Sequence, residues 1–170
     1  KAAWKSFTRF ARSSQPVNPR NSPIRFTGDW TSTKRGKAPG ASYRGFHDSI
    51  VNYLGNTNPQ MVICLHEEHA VAIADGYGKV TEEPMAVALH SNVGLMHGTM
   101  AIYNAWCDRA PMLILGATGP VDATLRRPWI DWIHTAQDQG ALIRNFVKWD
   151  DQPGSAAAIP ESIYRAWQQT

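Results

Sequence analysis

The sequence predicts an α/β fold, a parallel sheet flanked by helices on both faces, preceded by an irregular basic N-terminal arm. Three observations carry this. First, three short apolar runs, Met61–Leu65, Met85–Leu89 and Met112–Leu115, have the length and composition of buried strands. Second, the first two run into a polar loop followed by helical periodicity, and the third runs into the Gly-rich turn Gly116-Ala117-Thr118-Gly119. Third, Pro and Gly punctuate the junctions between these passages. Repeated strand–loop–helix passages build a parallel sheet with right-handed crossovers.

Taken in order, residues 1–38 form the expected arm and residues 39–170 the α/β domain. Before Gly45 the chain carries ten Lys and Arg against one acid, Asp29. The arm's charges are interleaved with Pro16, Pro19, Pro23 and Pro39 and form no single helical stripe, which argues against a nucleic-acid site. Trp4, Phe7 and Phe10 suggest a short amphipathic helix, within a solvated extension or an arm laid on a partner. Phe46, Ile50, Val51 and Leu54 predict a helix capped near Gly55, with a turn over 56–59. After the Met61–Leu65 strand, Ala70, Ile73, Ala74 and Tyr77 recur on one helical face. Glu83-Pro84 ends that helix. The Met85–Leu89 strand leads through His90–Gly94 into a helix whose inner face is read as Leu95, Thr99, Ile102 and Trp106. Val121–Ile133 reads as a surface loop or short helix, Leu142–Trp149 as another strand, and Ser155–Gln169 as a last helix burying Ile159, Ile163, Ala166 and Trp167.

Composition narrows the class. The 170 residues carry a net charge of +3 and are 43% apolar, ordinary for a globular protein. No apolar run approaches the roughly 20 residues of a membrane span, and the N-terminus lacks a signal-peptide apolar core. Cys64 in a strand and Cys107 at a helix end read as reduced core residues of a cytoplasmic protein. His66 and His69 stand at i, i+3 rather than the i, i+4 of a zinc metalloprotease helix, so no metal site is expected from that segment alone. GxSxG, the Walker loop and GxGxxG are all absent.

The chemistry is expected at one edge of the sheet. Glu67, His90 and Thr118 each fall at the carboxyl end of a predicted strand, where open α/β sheets bind ligands. Glu67 also opens a helix. A carboxyl group there meets both a helix N-terminus and apolar walls, the influences that poise an acid for proton transfer. The same pattern fits a plain helix-start acid, and His90 fits a loop histidine capping the next helix.

Leu65-His66-Glu67, Ile73-Ala74-Asp75-Gly76-Tyr77, Leu89-His90-Ser91 with Gly94, Asn104-Ala105-Trp106 and Ala110-Pro111-Met112 stand in register. Together they resemble the N-terminal pyrimidine-binding domain of thiamine diphosphate enzymes, in the acetolactate synthase and benzoylformate decarboxylase group. Lys148-Trp149 and Ser155–Ala158 extend the match, which runs from about Pro39 to the end.

The resemblance implies a thiamine diphosphate-binding fold and an enzyme acting on 2-oxo acids, by decarboxylation or carboligation. It assigns Glu67 to the N1′ atom of the cofactor's aminopyrimidine, a contact that promotes the imino tautomer able to deprotonate thiazolium C2. It assigns His90 to proton transfer, which an unperturbed imidazole titrating near pH ~6.5 can perform. Pro39 and Gly40 match the family's Pro-Gly turn, and these two with Ser91 and Gly94 are the implied cofactor contacts. His134 and Thr135 fall near substrate-facing positions.

Two features depart from the pattern. Residues 1–37 do not read as the helix and strand that precede the Pro-Gly turn. The Gly-Asp-Gly…Asn motif that binds Mg²⁺ and the diphosphate is absent from these residues, and no closing strand follows the last helix. The expectation is therefore half a site, completed by the diphosphate-binding domain of a partner subunit in a homo-oligomer; the resemblance leaves open whether FAD is also bound, as in acetolactate synthases. The alternatives are a non-catalytic assembly module on the same fold, or the α subunit of a two-chain decarboxylase of the sulfopyruvate type.

Overall fold

The computed structural model describes residues 25–29, 43–57 and 59–170. The Pro39-Gly40 turn, the proposed Trp4–Phe10 helix and the remainder of the arm apart from residues 25–29 lie outside the described residues. Four parallel strands form the sheet: β1 (Arg25–Asp29), β2 (Gln60–Cys64), β3 (Met85–Ala88) and β4 (Met112–Leu115), in the order β2-β1-β3-β4. Phe26 pairs with Met61 on one side and Ala86 on the other, and Ala86 pairs in turn with Leu113. β1 therefore occupies an interior position, although it lies in the segment that the sequence assigns to the arm. Arg25-Phe26-Thr27-Gly28-Asp29 has no apolar run to announce it.

Alternation along the strands divides the core in two. Met85 and Val87 of β3 join Cys64, Val71, Leu89 and Ile102 in one cluster, formed with α2 (Glu67–Thr81) and α3 (Ser91–Asp108). Ala86 and Leu113 point the other way and join Ile50 and Met61. That second face is closed by Tyr43, Phe46 and Val51, around α1 (Arg44–Asp48) and the π-helical turn Ser49–Tyr53, and by Ile163, Ala166 and Trp167 of α4 (Ile159–Trp167). Helices thus cover both faces, as an all-parallel sheet requires. The turn after α1 runs through Gly55 and Asn56, both in the left-handed region (φ +67° and +53°). Asn56 then starts β2 by accepting the Met61 N–H at 2.6 Å.

Several expectations are corrected. β2 is half-buried rather than fully buried: Met61 and Cys64 face the two cores, while Val62 and Ile63 are exposed. Among the described residues it is an edge strand, and it ends at Cys64, leaving Leu65 84% exposed. On α2, Val71 rather than Ile73 faces inward. On α3 the buried stripe is Gly94, Leu95, Gly98, Ala101, Ile102 and Ala105, so Trp106 lies outward and Cys107 is exposed rather than in the core. Small residues are needed there because α2 and α3 approach closely: a Cβ at Gly98 would lie 3.1 Å from Leu89 Cδ1 and 3.4 Å from Val71 Cγ2.

The predicted strand over Leu142–Trp149 is absent. The chain instead makes two 3₁₀ turns, Gly140–Leu142 and Arg144–Phe146. Arg144 holds both turns by bonding the carboxylates of Asp138 and Asp150, and Ile143, Phe146 and Val147 pack on the helical core rather than a strand edge. The last helix is shorter than expected, a 3₁₀ turn over Ala156–Ala158 followed by α4, and Ile159 is exposed. No helix among the described residues is long and apolar enough to cross a membrane.

Candidate active site

The strand order makes a topological switch between β1 and β3: the chain leaves β1 for one side, then returns to the other. The crevice outside the carboxyl ends of the strands at such a point is where open sheets hold ligands. His90 follows β3 there, and Glu67 enters from β2 as the first residue of α2.

Glu67 is 7% exposed. His66, extended at φ −151°, ψ 144°, turns the chain from strand to helix and accepts the Glu68 N–H on Nδ1 at 3.2 Å. This cap directs the next side chain inward, against the first turn of α3. There Gly94 leaves room for it. A Cβ on Gly94 would lie 2.9 Å from Glu67 Oε1, 3.2 Å from its Cγ and 3.2 Å from His90 Cβ. The carboxyl group is therefore packed beside His90, not turned into solvent on the far rim.

The first turn of α3 carries further polar groups. Ser91 is fully buried at φ +35°, a conformation side chains rarely adopt, and its Oγ has no hydrogen-bond partner. Asn92 Oδ1 is likewise buried without a partner. Buried polar atoms ordinarily find partners, so two unpaired ones in the helical turn that faces the buried Glu67 are available to a polar ligand. An orphaned hydroxyl, an acid and a backbone cradle that a Cβ would fill suit a flat heterocycle with donor and acceptor edges.

His134 reaches the same place from the loop after β4. Its ring meets that of His90 edge-on, with centroids 4.9 Å apart. Its Nδ1 lies 3.0 Å from the Ile130 carbonyl, so in the neutral ring Nδ1 carries the proton and Nε2 is left as the acceptor. The turn Asp131–His134 is anchored by Asp131, a buried acid that the sequence analysis does not single out. Its carboxylate accepts the Arg127 N–H at 2.6 Å and pairs with the Arg127 guanidinium at 2.9 Å. The Arg127 side chain, then its backbone N–H, hold the Asp131 carboxyl below the usual carboxylate range. The signal was present as Arg127 and Asp131 at i, i+4.

Thr135 points elsewhere. Its hydroxyl donates to the Asp131 carbonyl at 2.6 Å, and it lines a cleft of about 410 Å³ with Thr118, Gly119 and Arg126. Of the expected site residues, then, Glu67, His90, Ser91, Gly94 and His134 gather at one place. Thr118 and Thr135 share the neighbouring cleft, and Pro39 and Gly40 fall outside the described residues.

Comparison with known proteins identifies the family. Residues 40–143 match the family described as thiamine pyrophosphate enzyme, N-terminal TPP binding domain. The fold is that of a parallel α/β domain with a buried glutamate at the carboxyl end of its strands; the match, spanning more than half of the chain, shows that it belongs to that family. It is 30% identical over 107 residues to benzoylformate decarboxylase of Pseudomonas aeruginosa, covering 63% of this chain and 20% of that protein. It is 22% identical over 121 residues to acetolactate synthase of Bacillus subtilis, covering 71% and 20%. The structure of benzoylformate decarboxylase from Polynucleobacter necessarius superposes with a TM-score of 0.71 at 19% identity, covering 97% of this chain and 26% of that one, which supports the fold. The chain thus spans about a fifth of the length of these curated relatives.

Proposed function

We propose that this chain is the pyrimidine-binding part of a thiamine diphosphate-dependent enzyme acting on 2-oxo acids, with Glu67 as the residue that activates the cofactor. The observation that supports this most is the burial of Glu67 between the α2 N-terminus, Gly94 and His90, in a chain of this family.

When bound, thiamine diphosphate supplies a carbon nucleophile for the 2-oxo carbonyl and an electron sink for the carbanion left by decarboxylation. The residues here serve that chemistry by holding and moving protons. Glu67 would share a proton with the aminopyrimidine N1′, and Gly94 leaves the room its carboxyl group occupies. The unpaired Ser91 hydroxyl and Asn92 amide oxygen would be the groups to hold polar edges of the ring. His90 passes a proton to or from the reacting substrate, and His134 packs against it on the substrate side. Mg²⁺ and the diphosphate are held by a domain outside these residues, contributed by a partner subunit of an oligomer. The chain works in the cytoplasm on this account, and its reaction is decarboxylation or acetolactate synthase-like carboligation.

The test is turnover. The full chain, combined with its diphosphate-binding domain, thiamine diphosphate and Mg²⁺, should consume a 2-oxo acid such as benzoylformate or pyruvate. Glu67→Gln should lose about 10²–10⁴-fold of that activity, the contribution of a positioned proton-transfer group, while folding normally. Undiminished turnover by the folded variant would end the assignment.

A further inference from the structure

We propose that His66, His97 and Glu67 form a binding site for a divalent transition metal of the zinc type. Their ligating atoms all lie within 4.8 Å of one another, and His66 Nε2 stands 3.1 Å from His97 Nδ1. Two nitrogens bound to one tetrahedral zinc at about 2.0–2.1 Å lie roughly 3.3 Å apart, so the separation of the two nitrogens already suits one ion. The histidine spacing at His66 and His69 argued against a metal on one helix. The third ligand comes instead from α3: His97 lies in its second turn, across from the cap of α2.

Two imidazoles and a carboxylate select zinc, cobalt or copper over magnesium and calcium, which prefer oxygen. The packing of α2 on α3 fixes the backbone positions of all three ligands before any ion arrives. His66 is half-buried and His97 exposed, so the site is open to solvent and water completes the coordination shell. Without metal the two rings hydrogen-bond each other. His66 Nδ1 accepts the Glu68 N–H, which leaves the proton on Nε2 to be donated to His97 Nδ1. An ion takes the place of that proton. The ring proton moves to Nδ1 and the cap to Glu68 opens, two neutral hydrogen bonds exchanged for two metal–nitrogen bonds.

The consequence for activity rests on the function proposed above. A metal that engages the Glu67 carboxylate removes it from the aminopyrimidine, so metal and cofactor compete.

The experiment uses the tag-free full chain, stripped with chelator and titrated with Co²⁺ alone while the visible spectrum is followed. One equivalent should produce the intense band of four-coordinate cobalt, and Zn²⁺ should abolish it. His97→Ala and His66→Gln should each weaken binding about tenfold or more, with His97→Asn as a second variant if either fails to fold, whereas His47→Ala on α1 should not. No stoichiometric band, or unchanged binding by the folded His97 variants, overturns the site. The two readings separate cleanly: cobalt binding with full turnover by Glu67→Gln sinks the catalytic reading alone, and inactive Glu67→Gln without cobalt binding sinks the metal site alone.

Discussion

Gly94→Ala is the sharpest perturbation of the proposed site, because the added carbon enters the cradle itself. Its Cβ would lie 2.9 Å from Glu67 Oε1, against about 3.4 Å for an ordinary contact, so the carboxyl group must retreat by about half an ångström. Retreat toward His90 is restricted, since His90 Cβ would also be 3.2 Å from the new carbon. Misplacing a reacting group by about 1 Å can cost about 10²-fold in rate, and half that displacement should cost roughly tenfold or more. Stability should change far less. Overpacking costs about 1–3 kcal/mol, while replacing Gly by Ala inside a helix returns up to about 1 kcal/mol. The assay is kcat/KM for a 2-oxo acid in the reconstituted enzyme, beside the thermal midpoint. Gly98→Ala, one turn further along α3, is the control. Its Cβ meets Leu89 and Val71 rather than Glu67, so it should alter stability and spare activity. If Gly94→Ala keeps activity within a factor of about two, the cradle does not set the position of Glu67 and the argument fails.

Other consequences are as direct. His134→Ala removes the ring packed on His90 and should lower kcat/KM about tenfold or more with cofactor affinity unchanged; weakened cofactor binding would contradict a substrate-side role. Asp131 has its folded value below the ordinary one, so its pairing with Arg127 adds stability that is fully present above the usual carboxylate range near ~4 and lost as pH falls toward the folded value. The gap in thermal midpoint between the parent and Asp131→Asn should therefore be constant near neutrality and shrink in acid; a gap that widens in acid refutes the sign. Leu89→Ala empties one of the largest fully buried positions and should cost about 2–5 kcal/mol in denaturant unfolding, where a loss below about 1 kcal/mol would show that the site collapses around the cavity.

What could be read in advance followed from local rules. Met85–Leu89 is apolar throughout because β3 is covered on both faces, and a buried run of that kind is visible without its neighbours. The positions of Glu67 and His90 at strand ends were legible because each follows an apolar run that gives way to polar residues, although only β3 is buried throughout. β1 was hidden because its position inside the sheet is set by pairing with β2 and β3, and Arg25-Phe26-Thr27-Gly28-Asp29 carries little apolar signal of its own. Leu142–Trp149 misled in the opposite direction. It has strand-like residues, but the Arg144 ion pairs close its turns and its apolar side chains serve the helical core. Trp106 and Ile73 looked inward by helical period, yet the close approach of α2 and α3 admits only small residues along much of their contact. Asp131 and the His66–His97 pair were invisible because each depends on contacts made only after folding: the first on a turn that buries an acid, the second on a histidine 31 residues away in sequence.

The most direct measurement of the central claim is the rate at which the cofactor's thiazolium C2 proton exchanges with deuterium in the reconstituted enzyme, followed by NMR after quenching. The account predicts rapid exchange in the parent and exchange slowed about 10²–10⁴-fold in Glu67→Gln at full cofactor occupancy. Equal exchange rates in the two proteins would contradict it.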